Sequence, residues 1–105
     1  MRRNILAFLL LVASTAAAGE VRDRITAMSA ADRTAVLGAV IRGVNNYSCK
    51  APQRSRYKGT GAGRMIYIVT CEHGYRYIVT IRDDDQGSMR VLDCPLAESL
   101  GLDCN

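Results

Sequence analysis

Apolar and polar positions alternate with period two over residues 65–82, with one break at Glu72-His73-Gly74. Two runs of alternating β-branched and aromatic residues around a glycine-containing turn predict a β-hairpin. The tetrad Tyr-Ile-Val-Thr occurs once in each arm, at 67–70 and 77–80. Loop length then sets which residues share a face. A two-residue His73-Gly74 turn puts odd positions of one arm beside even positions of the other. A three-residue loop, with Gly74 left-handed, pairs Cys71 with Tyr75 instead. Only the second keeps the apolar set together. One face then holds Met65, Tyr67, Val69, Cys71, Tyr75, Tyr77, Val79 and Ile81, and the other Ile66, Ile68, Thr70, Arg76, Ile78, Thr80 and Arg82. Burial of one face selects the segregated register, so the three-residue loop is expected.

Upstream the period changes to that of a helix. Val36, Leu37, Val40, Ile41 and Val44 form an amphipathic stripe, which predicts a helix lying on the odd-numbered face of the hairpin. Ser29, with Asp32 three residues on, starts it in the manner of a capping box, and Gly43 with Asn45-Asn46 ends it. Val21, Ile25 and Met28 also fall at helical spacing and predict a turn or two of helix, or a frayed terminus, before Ser29. Downstream, residues 83–88 make a charged turn into a strand over 89–94. Pairing Ile81 with Met89 sends Val91 to the helix side and Leu92 and Cys94 to the other. Pro95 then opens a short turn or helix with Leu96 and Leu100 one turn apart, closed by Gly101. Residues 55–58 form a short edge strand. The fold class is α+β: one main N-terminal helix packed on a three- or four-stranded antiparallel β-meander.

The first residues have a different pattern. Arg2-Arg3, an apolar run over 5–13 and small residues over 14–18 predict a secretory signal peptide at 1–18, followed by a single small α+β domain at 19–105. The run is shorter than the roughly 20 residues a bilayer span requires, so no membrane span is expected in the mature chain. Export places the protein in the periplasm or outside the cell. Removing the leader from the 105 residues leaves 87, with twelve cations against ten acids, so the net charge falls from +4 to +2. That balance argues against nucleic acid as a partner. With no Trp, and with the single Phe inside the leader, the core is left to Val, Ile, Leu and Tyr, and small exported domains of this kind are commonly stapled.

Cys49, Cys71, Cys94 and Cys104 provide the staples, an even number in an oxidising compartment. Cys49 follows the helix and Cys71 faces it, so these two are expected to pair. Cys94 points to the other face, near Cys104 in sequence, and the middle strand separates it from Cys71 by two strand spacings of ~4.8 Å. The expected bridges are Cys49–Cys71 and Cys94–Cys104. Absence of Cys-x-x-Cys, and a single histidine, argue against a zinc site or a thioredoxin-like role.

Candidate chemistry is sparse. His73 sits at the turn tip, where tolerance of left-handed backbone suffices to explain it. The aspartates at 83–85 lack the ligand pattern of a calcium loop. No catalytic, metal or cofactor site is assigned. Two binding surfaces stand out. Lys50, Arg54, Arg56, Lys58 and Arg64 carry five positive charges with no acid between Cys49 and Cys71, a candidate anion-binding stretch or a solvated connection. Ile68, Ile78 and Leu92 form an apolar row with Arg76, Arg82, Arg90, Thr70 and Thr80 at its rim, a candidate partner face unless the leucine-rich tail covers it. A helix followed by an antiparallel meander in an exported chain resembles PepSY-type and other small periplasmic inhibitor-like modules, in architecture alone. The expected function is non-catalytic binding of a protein partner or an anionic envelope component. A small extracytoplasmic enzyme and a structural or stress accessory protein are the alternatives.

Overall fold

A computed structural model of the chain describes residues 20–61, 63–82 and 87–105. The leader at 1–18 and the aspartates at 83–85 lie outside the described residues. Helix α1 (Glu20–Ala27) leads into α2 (Ala30–Arg42). Ser29 caps α2 as its sequence predicts, its hydroxyl accepting from the Asp32 N–H at 3.2 Å. Arg33 ties the two helices together. Its guanidinium donates to the Ile25 carbonyl at 3.1 Å and the Met28 carbonyl at 2.8 Å, groups at the end of α1 that have no partner within the helix. Gly43 ends α2 in right-handed geometry, with φ −73°, and the left-handed residue follows later at Asn46, with φ 72°.

Four strands follow, β1 (Arg54–Gly61), β2 (Arg64–Thr70), β3 (Arg76–Arg82) and β4 (Met89–Asp93). They pair antiparallel in the order β1-β2-β3-β4. Between β2 and β3 the loop has three residues. The Cys71 N–H donates to the Tyr75 carbonyl at 2.7 Å, and the Tyr75 N–H to that of Glu72 at 3.1 Å. Gly74 is left-handed, with φ 75°, and so is His73, with φ 59°. The alternation of residues 65–82 therefore identifies the register through the parity of its buried set.

Two apolar layers sandwich the sheet. On the helix side, Leu37 and Ile41 of α2 and Ile25 of α1 pack on Met65, Tyr67, Val69, Tyr77, Val79 and Ile81. Tyr75 departs from its expected place in this layer, since at the loop end it is half exposed. Cys49–Cys71 closes the layer at the hairpin tip, where the Glu72 carboxylate accepts from the Ser48 hydroxyl at 2.7 Å and the Ala51 N–H at 3.1 Å. These hydrogen bonds, Ser48 first, hold Glu72 at a pKa of about 2.

The second layer comes from the chain end. Helix α3 (Cys94–Ser99) is capped by Asp93, whose carboxylate accepts from the Leu96 N–H at 2.8 Å. Cys94 and Ala97 turn inward onto Ile68 and Ile78, with Cys104 beside them and Ile66 and Leu92 at the margin. Cys94–Cys104 fastens the segment. The row offered above as a candidate partner face is thus an interior: Ile68 and Ile78 are buried, and Leu92 is partly buried. Three side-by-side apolar residues on a sheet cost too much solvent contact to leave bare when a tethered tail can reach them. Both disulfides are compatible with an oxidising compartment. Among the described residues no helix is long and apolar enough to cross a membrane.

Candidate anion-binding face

The stretch from Lys50 to Arg64 forms a longer strand than its sequence suggests, and that changes what its charges do. β1 spans eight residues instead of four, pairing Arg54 with Thr70 and Arg56 with Ile68. These partners lie on the face away from the helices. On β3 and β4 the same face carries Arg76 opposite Thr70, Arg90 opposite Thr80, and Arg82 opposite Arg64. Lys58 is the extra residue of a bulge between Tyr57 and Gly59, and it turns to the same side. Its ammonium donates to the Asp103 and Asn105 carbonyls and lies 3.7 Å from the Asp103 carboxylate.

Seven cations therefore share one surface: Arg54, Arg56, Lys58, Arg64, Arg76, Arg82 and Arg90. Four belong to the candidate anion-binding stretch, and Arg76, Arg82 and Arg90 belong to the rim of the apolar row. The sheet merges two sites that looked separate. Lys50 stands apart, exposed in the connection before β1 beside the Cys49–Cys71 bridge. Arg90 reaches this face through its even-numbered strand position opposite Thr80.

The tail divides this surface without neutralising it. Lys58 grips the tail from one side, and the Arg76 guanidinium donates to the Cys104 carbonyl at 3.3 Å from the other. Asp103 is held below its ordinary pKa, first by the Asn105 N–H and then by the charge of Lys58. Among the described residues, Arg54, Arg56, Arg64, Arg76, Arg82 and Arg90 form no ion pair. Arg64 and Arg82 face each other directly, an arrangement that repels by a few tenths to about 1 kcal/mol. A bound anion would relieve it. Two clefts flank these residues. One of ≈ 250 Å³ is lined by Arg64, Thr80, Arg82, Ser88, Met89 and Arg90. The other, of ≈ 290 Å³, is lined by Gly61, Arg64, Ile66, Thr80, Arg82 and Leu102. Both are smaller than the cavities that engulf whole small molecules, and of a size to seat a single charged group.

Elsewhere the candidate chemistry is structurally committed. A cavity of ≈ 540 Å³ at the hairpin tip is bordered by Tyr47, Tyr75 and Tyr77. The Tyr77 hydroxyl accepts from the Ser48 N–H and donates to the Ser48 carbonyl, both at 3.0 Å. The Tyr47 hydroxyl accepts from the Asp93 N–H at 3.3 Å. Cys49, Cys71 and Glu72 lie close enough to suggest a metal site, yet the two sulfurs are bonded to each other and offer no thiolate. His73 is exposed at the turn, and among the described residues it makes an edge contact to Tyr75.

The chain matches no protein-family model, no curated protein and no solved structure. Its own geometry has to carry the functional reading.

Proposed function

We propose that this protein is an exported, non-catalytic binding module, acting in the periplasm or outside the cell. It holds an anionic envelope component against the face of its sheet that is turned away from the helices. The observation that supports this reading is the placement of seven cations on that face, six of them without an ion pair among the described residues. The shared chemistry of the ligand is a cluster of oxyanions, as found in a phosphate-bearing lipid headgroup or a polyanionic glycan. The burial of Ile68 and Ile78 removes the feature that favoured a protein partner.

The test is binding of a soluble sulfated polysaccharide, measured by calorimetry at low and high salt. Binding weakens with salt, since exposed charges are screened over a Debye length of ~8–10 Å. A variant with Arg54, Arg64, Arg82 and Arg90 replaced by glutamine loses about fivefold in affinity per charge, taking roughly 1 kcal/mol for each cation near an anionic surface. Lys50→Gln, off the face, changes little. The proposal fails if neither the polysaccharide nor an anionic lipid surface binds, or if Lys50→Gln and the loss of the four arginines have equal effects.

A further inference from the structure

Beyond its charges, this face carries something a soluble polyanion has no use for. Leu96 is 44% exposed, Leu100 64% and Leu102 36%, and the three fall within seven residues. Exposed leucines scattered singly are ordinary, whereas three in one disulfide-closed loop laid on a cationic sheet face suggest an interaction surface. The geometry is held in place. Cys94 and Ala97 take the inward positions of α3, so Leu96 and Leu100, one turn apart, are left facing outward.

The loop's own backbone bonds then fix it. The Leu100 N–H donates to the Ala97 carbonyl at 3.0 Å, the Gly101 N–H to Glu98 at 3.0 Å and the Leu102 N–H to Ala97 at 2.9 Å. Gly101 supplies the left-handed turn, with φ 87°. Cys94–Cys104 locks the base of the loop to the sheet. Cations border its C-terminal end. Leu102 shares a cleft with Arg64 and Arg82, Lys58 and Arg76 hold the tail's far end, and Glu98 and Asp103 are the acids within the loop.

We infer that the loop from Cys94 to Cys104 is a membrane-surface dock: Leu96, Leu100 and Leu102 enter the headgroup–acyl boundary of an anionic bilayer while the arginines of the sheet face engage lipid phosphates. Interfacial binding of this kind combines buried apolar area with attraction to anionic lipids, and neither part alone anchors firmly. The inference deepens the proposed function by naming the source of its oxyanions as lipid, and it rests on that reading.

The test uses the full oxidised chain and vesicles of equal parts phosphatidylglycerol and phosphatidylcholine, read by co-sedimentation, with the soluble sulfated polysaccharide as a parallel ligand. The chain binds these vesicles and retains part of that binding at high salt. Leu96→Gln with Leu100→Gln, both at exposed positions, loses about tenfold in vesicle affinity, the worth of roughly one buried leucine side chain. Its polysaccharide affinity is unchanged. A second variant does not depend on loss. The chain has no tryptophan, so Leu100→Trp gives a unique fluorophore whose emission shifts blue on the vesicles and not on the polysaccharide. Equal vesicle binding by wild type and the glutamine pair, or an unshifted emission from the Leu100→Trp chain, overturns the membrane dock. Polysaccharide binding without vesicle binding also overturns it and leaves the proposed function standing. Failure of both ligands removes the two together.

Discussion

Replacing Cys94 and Cys104 together by serine tests whether the tail is a true second layer or a loosely laid strap. The bridge closes a loop with a sequence separation of 10. Loop-closure entropy for that length corresponds to about 2.7 kcal/mol, against about 3.4 kcal/mol for the separation of 22 spanned by Cys49–Cys71. For a domain of this size the smaller figure lowers the melting temperature by roughly 10–20 °C. Melting alone does not separate the two bridges, because their difference is well under 1 kcal/mol. Location does. Ile68 is 4% exposed and Ile78 1%, and the buried residues of the tail that cover them are Cys94, Ala97 and Cys104. Opening this bridge bares the outer side of β2 and β3 while leaving the helix layer packed. The expected result is uptake of an apolar dye and loss of amide protection in 94–104 well below the melting temperature. Serine replacement at 49 and 71 lacks that low-temperature signature at the tail. A Cys94→Ser/Cys104→Ser protein with unchanged melting and no dye uptake would refute the account of the tail as cover.

Two further predictions concern the helix layer. Gly38→Ala improves helix propensity by about 1 kcal/mol, but the added Cβ would lie 2.7 Å from Cγ and 2.8 Å from Cβ of Pro52. Overpacking costs about 1–3 kcal/mol, so thermal melts are expected to show net destabilisation, and a raised melting temperature contradicts the contact. Glu72→Gln weakens the clasp on Ser48 and Ala51 in a pH-dependent way. Because the folded protein holds Glu72 at about 2 rather than its ordinary 4.5, the contribution of its charge to stability is complete above 4.5 and is lost as pH falls through 2. Melts of wild type and variant therefore differ at neutral pH and converge across that window, whereas a constant gap assigns the effect to something other than the carboxylate.

Parity made much of the fold readable in advance. In residues 65–82 a one-residue slip would mix Tyr and Val with Arg and Thr, so the alternation specified the loop, the register and the side on which Cys71 lies. The two bridges followed from those faces. β1 was harder to read because Ser55 and Tyr57 are weak markers of a buried face and Gly59, Gly61 and Gly63 suggest a mobile connection. Its partner β2 supplies the order that its own residues do not specify. The bulge at Lys58 hid the site as well, by shifting the phase of the strand and placing Gly59, not Lys58, opposite Ile66. The leucines of the tail were legible as cover but not as surface. A six-residue helix can turn only Cys94 and Ala97 inward, and which residues remain outside depends on where Asp93 caps it.

The bulge in β1 also bears on how copies of this chain avoid one another. The segments 67–70 and 77–80 combine high β-propensity with no charge, the composition that stacks into cross-β fibres. Both lie in interior strands, so in the folded chain neither presents a free edge. β1 does present one, and it is guarded by Arg54, Arg56 and the irregular backbone at Lys58, devices that discourage a further strand from adding. Exchanging those cations for neutral residues to weaken ligand binding would therefore also remove a barrier to sheet-to-sheet assembly. During folding the same order matters: until β1 docks, the repeated tetrad of β2 is the exposed edge.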